Sequence, residues 1–106
     1  MIVVDTNVIG YLFLSSEKSI LAERVLQKDN EWAAPMLWRS EFRNVLTLYM
    51  RKNIIKLEQA QKIMNSALKI LRGREYAAPS HEVLRLTSTS DCSAYDCEFI
   101  ATANDL

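Results

Sequence analysis

Met1-Ile2-Val3-Val4-Asp5-Thr6-Asn7 is the stretch that decides the fold. Ile2, Val3 and Val4 are consecutive β-branched residues, the pattern of a strand buried on both faces of a parallel sheet. Asp5 stands where that strand should end, and an apolar stretch opens at Val8. Open parallel sheets bind their ligands beyond the carboxyl ends of strands. A carboxylate at that point is therefore well placed for chemistry. Asp, Thr and Asn are also ordinary helix caps, and spacing alone leaves both roles open for Asp5, Thr6 and Asn7.

Outward from this stretch, helices and short strands alternate. Residues 8–14 read as a short helix punctuated by Gly10. Residues 18–28 read as a second helix, with Leu21, Ala22, Val25 and Leu26 at helical spacing. Glu31-Trp32-Ala33-Ala34-Pro35 is echoed by Glu75-Tyr76-Ala77-Ala78-Pro79. Each echo follows a helix and ends in a proline, which cannot donate to a sheet ladder. Both are expected to be strands that solve the same packing problem. Residues 36–52 form a long predicted helix with Leu37, Glu41, Val45 and Leu48 along one stripe. Residues 57–72 form another, burying Ala60, Ile63, Met64, Ala67 and Leu71, with Gly73 as the C′ residue. Ser80 is expected to cap a short helix over 81–87. A polar loop over 87–91 then leads into a last helix over 92–104. Strands alternating with helices indicate an α/β fold with a short twisted parallel sheet flanked by helices, in one domain spanning 1–106.

The totals exclude some classes. Of the 106 residues 49% are hydrophobic, but no apolar run approaches the roughly 20 residues of a membrane span. No basic segment precedes the short N-terminal apolar run, so a signal peptide is not expected. Formal net charge is 0, and a nucleic-acid enzyme of this composition would rely on a local basic patch. Cys92 and Cys97 lie on different faces of a predicted helix. That is poor geometry for a disulfide, and buried reduced thiols in a cytoplasmic protein are expected. His81 has no second histidine to join and reads as a helix N-terminal residue.

Three carboxylates stand in apolar surroundings. Asp5 ends a strand, Glu41 lies on the stripe with Leu37, Val45 and Leu48, and Asp96 shares a stripe with Cys92, Phe99, Ile100 and Ala103. A lone buried carboxylate pairs, protonates or binds a metal. Three such groups without an obvious buried cation suggest a shared ion, and hard oxygen ligands without histidine favour Mg2+ or Mn2+ over zinc. Three ordinary roles remain open beside this: Asp5 as a cap, Glu41 paired with Arg39 or Arg43, and Asp96 in the first turn of its helix. The only glycines are Gly10 and Gly73, so no phosphate-cradling loop is present. A phospho-acceptor role for Asp5 fits poorly, because Asn7 occupies the place of the second aspartate of the phosphatase pattern.

Asp5-Thr6-Asn7-Val8-Ile9, Ser40-Glu41-Phe42-Arg43-Asn44-Val45-Leu46 and Ser93-Ala94-Tyr95-Asp96-Cys97-Glu98-Phe99-Ile100-Ala101, in that order and spacing, resemble PIN-domain proteins. The closest likeness is to the toxin ribonucleases of the VapC type. The resemblance implies Mg2+- or Mn2+-dependent cleavage of RNA, with Asp5, Glu41 and Asp96 as metal-binding and catalytic acids, supported by Asn7 and Thr6. It also implies a small antitoxin as partner and a homodimer. Arg39, Arg43, Arg51, Lys52 and Arg72 or Arg74 are candidate RNA contacts. A non-catalytic domain that binds RNA or a partner is the alternative. The family pattern continues into a further strand with a Thr-x-Asp segment, whereas this sequence ends at Asn104-Asp105-Leu106. The resemblance therefore implies two strands and a fourth acid that are lacking here. It also implies an open edge on the strand that leads to Asp5, which invites pairing with another chain.

Overall fold

A computed structural model describes residues 1–106. Its sheet is parallel throughout. β1 (Ile2–Val3) pairs with β2 (Trp32–Pro35), placing Ile2 opposite Trp32 and Val3 opposite Ala33. β2 pairs on its other side with β3 (Glu75–Tyr76), Ala34 opposite Glu75 and Pro35 opposite Tyr76. The strand order is β1-β2-β3. Parallel neighbours need crossovers, usually helical. Here α1 (Thr6–Phe13) and α2 (Ser19–Lys28) join β1 to β2, and α3 (Leu37–Arg51) and α4 (Leu57–Ile70) join β2 to β3. α5 (Ser80–Ser88) and α6 (Ala94–Asp105) follow, and α6 packs across both β1 and β2. The α/β class and the parallel sheet flanked by helices stand as expected from the sequence.

The two sequence echoes do not share an environment. All four residues of β2 are buried, whereas both residues of β3 are half-buried at an edge. Pro35 sits at the end of the central strand without breaking it. The amides of Ala34 and Met36 donate to the β3 side, at Arg74 and Tyr76. By alternation the Pro35 nitrogen faces the β1 side, where pairing has already ended at Val3. β1 is the other edge, and its Ile2 and Val3 are half-buried rather than sealed on both faces.

The main core gathers where α3 crosses the sheet. Trp38, Phe42 and Leu46, spaced by four, are its buried stripe. The sequence stripe Leu37, Glu41, Val45 and Leu48 is displaced by one position, because the larger surface of Trp38 and Phe42 goes inward. Phe42 meets Trp38 at 6.1 Å and Phe13 at 6.4 Å between ring centroids. Ala60, Ala67 and Leu71 bring α4 and its C-terminal turn onto the same core, with Ile63 and Met64 half-buried beside them. Gly73 follows at φ 78°, the left-handed turn where glycine is favoured.

Other expectations shift. α2 buries Ala22 alone, leaving Leu21 and Val25 exposed, because it packs chiefly on α1. Ser80 is the first helical residue of α5 and Pro79 the cap. Proline, with no amide to leave unsatisfied, tolerates a helix start. Cys97 is buried and Cys92 exposed, both as free thiols. No helix is long and apolar enough to cross a membrane.

Candidate functional site

Asp5 leaves β1 in extended conformation and caps α1, its Oδ1 accepting the Val8 amide at 3.1 Å. The cap commits one carboxylate oxygen, while the residue stays exposed on the wall of a cavity. The two roles left open by the sequence thus coexist on one side chain. Thr6, next along, is buried, and its hydroxyl donates to Glu41 Oε1 at 2.7 Å. That bond ties the start of α1 to the second turn of α3. Asn7 is exposed at the same cavity.

Asp96 arrives from α6. Ser93 is the N-cap of that helix, and its hydroxyl oxygen accepts the Asp96 amide at 3.1 Å. Asp96 therefore lies in the first helical turn. The positive ends of the α1 and α6 dipoles thus lie beside Asp5 and Asp96, which favours negative charge there. Asp5, Glu41 and Asp96 line one cavity of about 500 Å3, open to solvent, with Thr6, Asn7 and Asn44. Val45, Phe99 and Ile100 form its apolar part.

The acids are not buried as the sequence stripes implied. Asp5 and Asp96 are exposed and Glu41 is half-buried. The reason is rotational. α3 turns Trp38, Phe42 and Leu46 inward, and α6 turns Cys97, Ala101 and Thr102 inward. Glu41 and Asp96 are left on flanks that meet over a gap. Nor does Glu41 pair with an arginine. Arg39 is held by Glu75, and Arg43 donates to Ser40. None of the three site acids makes a salt bridge.

Glu98, one turn from the rim of α6, is a site neighbour that sequence reasoning missed. Burial first, and then the negative charge of Glu41, push its carboxyl above the ordinary range. Asn44 was also missed as a cavity residue. Its signal was present, since it stands three residues after Glu41 and so shares that face of α3. Among the basic residues, Arg39 is engaged with Glu75, and Arg74 with the carbonyls of Trp32 and Ile70. Arg51, Lys52 and Arg72 are exposed and without ion pairs.

The donor set suits a hard divalent ion: carboxylate and amide oxygens, no thiolate or imidazole, and no competing ammonium or guanidinium. No three acidic, cysteine or histidine side chains converge closely enough to hold one ion by themselves. Mg2+ does not require that, because it keeps several waters and commonly binds through one or two carboxylates. The open cavity leaves room for such a hydrated ion.

The Thr6–Glu41 bond sets a specific expectation. Thr6→Val keeps the β-branched shape and removes the donor. Melting temperature should fall by no more than about 5 °C, the effect of roughly 1 kcal/mol in a domain of this size. Cleavage under the proposed metal-dependent mechanism should drop about tenfold, because Glu41 loses its tether. Equal activity in Thr6→Val and wild type would remove any positioning role from that hydroxyl.

The PIN domain family model matches residues 2–105. No curated protein matches the chain. The chain belongs to the PIN domain family, whose members are generally nucleases that need metal ions.

Proposed function

We propose that this member of the PIN domain family is a Mg2+- or Mn2+-dependent endoribonuclease and the toxin of a toxin–antitoxin pair, acting in the cytoplasm as a single domain. The observation that carries the reading is the meeting of Asp5, Glu41 and Asp96, from three separate elements, on one open cavity without a basic partner. Asp5 and Asp96 would hold the ion. When bound, a divalent ion lowers the pKa of water and stabilises the leaving oxygen of an in-line displacement. Glu41, steadied by Thr6, orients the attacking water or takes its proton. Asn7 and Asn44 offer neutral donors and acceptors to water or phosphate at the rim. Arg43, Arg51, Lys52 and Arg72 are the exposed cations left to contact the RNA backbone.

An antitoxin and a second copy of the chain are the expected protein partners. The exposed Ile20, Leu21 and Val25 of α2 and the open edge of β1 support such contacts. A monodisperse monomer in solution would count against the homodimer.

The decisive experiment couples calorimetric titration of Mn2+ with cleavage of a structured RNA, using Asp5→Asn as control. Metal uptake with cleavage that Asp5→Asn abolishes supports the nuclease. Cleavage that survives Asp5→Asn would indicate a contaminant. RNA binding without metal uptake would favour the binding-only alternative, which the lack of a converged three-acid cluster keeps in view.

A further inference from the structure

Gly10 stands in the middle of α1, where glycine disfavours a helix relative to alanine. Nothing in the packing requires it. A Cβ built on Gly10 would meet no atom within 4 Å, and its φ is not in the left-handed region. The open space beside it is a second cavity of about 140 Å3, lined by Gly10, Tyr11, Leu14, Ser16 and Tyr49 together with wall residues of the acidic cavity. Thr6, Asn7 and Val45 line both cavities, so the notch adjoins the acidic cavity across a shared wall. Its aromatic residues are only half-buried, and the one tyrosine hydroxyl that bonds to a protein group is that of Tyr76, outside the notch. Lys18 holds its ammonium 5.2 Å from the centroid of the Tyr11 ring. The notch thus joins aromatic surface and a missing side chain beside the acidic cavity, with a cation resting on one of its aromatic rings.

We propose that this notch is a nucleobase subsite: it receives the unpaired base next to the scissile phosphate of single-stranded RNA. The inference rests on the ribonuclease reading above. Single-stranded nucleic acid is held by stacking bases on aromatic side chains and by cations along the backbone. Tyr11 and Tyr49 offer aromatic walls, and Lys18, which rests over the Tyr11 ring, supplies a charge that the adjoining phosphate can draw off it, while Gly10 keeps the space clear. The carboxylates repel a polyanion, so a stacking handhold beside them is what an RNA substrate needs there.

Gly10→Leu tests this directly, because it fills the notch and improves helix propensity. Binding of a single-stranded RNA ten-mer to the full chain is measured by fluorescence anisotropy in EDTA, so that no metal is required. Cleavage of the same RNA is measured with Mn2+. Gly10→Leu should bind roughly tenfold more weakly, as loss of one stacked base implies, with a melting temperature at or above wild type. Tyr11→Ala should weaken binding similarly. Replacing single bases by abasic sites should identify one position at which wild type loses the same factor and Gly10→Leu loses nothing further. The KM should rise, with kcat little changed. Binding by Gly10→Leu equal to that of wild type, or indifference to every abasic site, overturns the subsite while leaving the nuclease standing. Failure of wild type to bind or cleave any single-stranded RNA overturns the subsite, and failure to cleave the structured RNA as well overturns the ribonuclease reading.

Discussion

Asp5→Asn should lower divalent-dependent RNA cleavage by roughly a thousandfold, the loss of about 4 kcal/mol of transition-state stabilisation expected when a metal ligand goes. Its fold should be intact. Asparagine is as good an N-cap as aspartate, so the amide oxygen of the substituted side chain can still accept the Val8 amide that Asp5 Oδ1 accepts now. Asp5→Ala separates the two roles of the residue. It should lose the same activity and in addition about 1 kcal/mol of stability, because the cap is gone. A single-turnover assay beside thermal melts reads both quantities. Asp96→Asn gives an independent check from α6, where the cap belongs to Ser93 and the carboxylate is exposed, so stability should hardly move. Activity retained in Asp5→Asn and Asp96→Asn, with calorimetric metal uptake unchanged, would remove both residues from the proposed centre.

The legibility of this site follows from its local grammar. A β-branched run ending at Asp5 marks a strand end whatever the tertiary context, and the β1–α1 turn is built that way. Helical periodicity locates α3, α4 and α6, but it does not fix their rotation. Leu37-Trp38-Arg39-Ser40-Glu41-Phe42 contains two overlapping apolar stripes, and only packing against β2 and Phe13 selects the one through Trp38 and Phe42. The same ambiguity misplaces the apolar side of α6, where Cys97, Ala101 and Thr102 are buried, Phe99 is only half-buried against the core and Ile100 is exposed. The sequence therefore singles out the acids for the wrong reason. Their stripes read as costly buried charges, yet they face an open cavity, and Asp5 and Asp96 sit beside helix N-termini. Contacts across the sheet are not legible at all. No spacing rule links Trp38 and Arg39 to Glu75, because they meet only once β2 and β3 are paired.

That cross-sheet contact carries the largest expected effect on stability. Glu75 is only 11% exposed and accepts three hydrogen bonds: from Trp38 Nε1 at 2.7 Å and from Arg39 Nε and Nη2 at 2.6 Å each. Removing the carboxylate in Glu75→Ala strands the Trp38 indole N–H, whose residue is fully buried. Arg39, being more than a third exposed, can turn to water, so the ion pair itself contributes less than its geometry suggests. The unsatisfied donor and the lost charge-assisted bonds together should cost about 2–4 kcal/mol, or a drop in melting temperature of roughly 10–20 °C. Glu75→Gln keeps an acceptor for Trp38 and should lose about half as much. The pH dependence separates charge from hydrogen bonding. The Arg39 guanidinium first, and the Trp38 indole with it, hold the Glu75 carboxyl below its ordinary 4.5 against the opposing pull of burial. A depressed acid stabilises the fold above its unfolded pKa, and that stabilisation is lost as pH falls through the folded value. Wild type and Glu75→Gln should therefore differ most near neutral pH and converge as pH falls below 4.5. The Glu82–Arg85 pair, depressed in the same sense, is common to both proteins and cancels. A difference that stays constant from about pH 7 to about pH 3 would mean that the charge on Glu75 contributes nothing. Because Arg39 lies two residues before Glu41, the same variants should also lower catalysis, through a loosened first turn of α3.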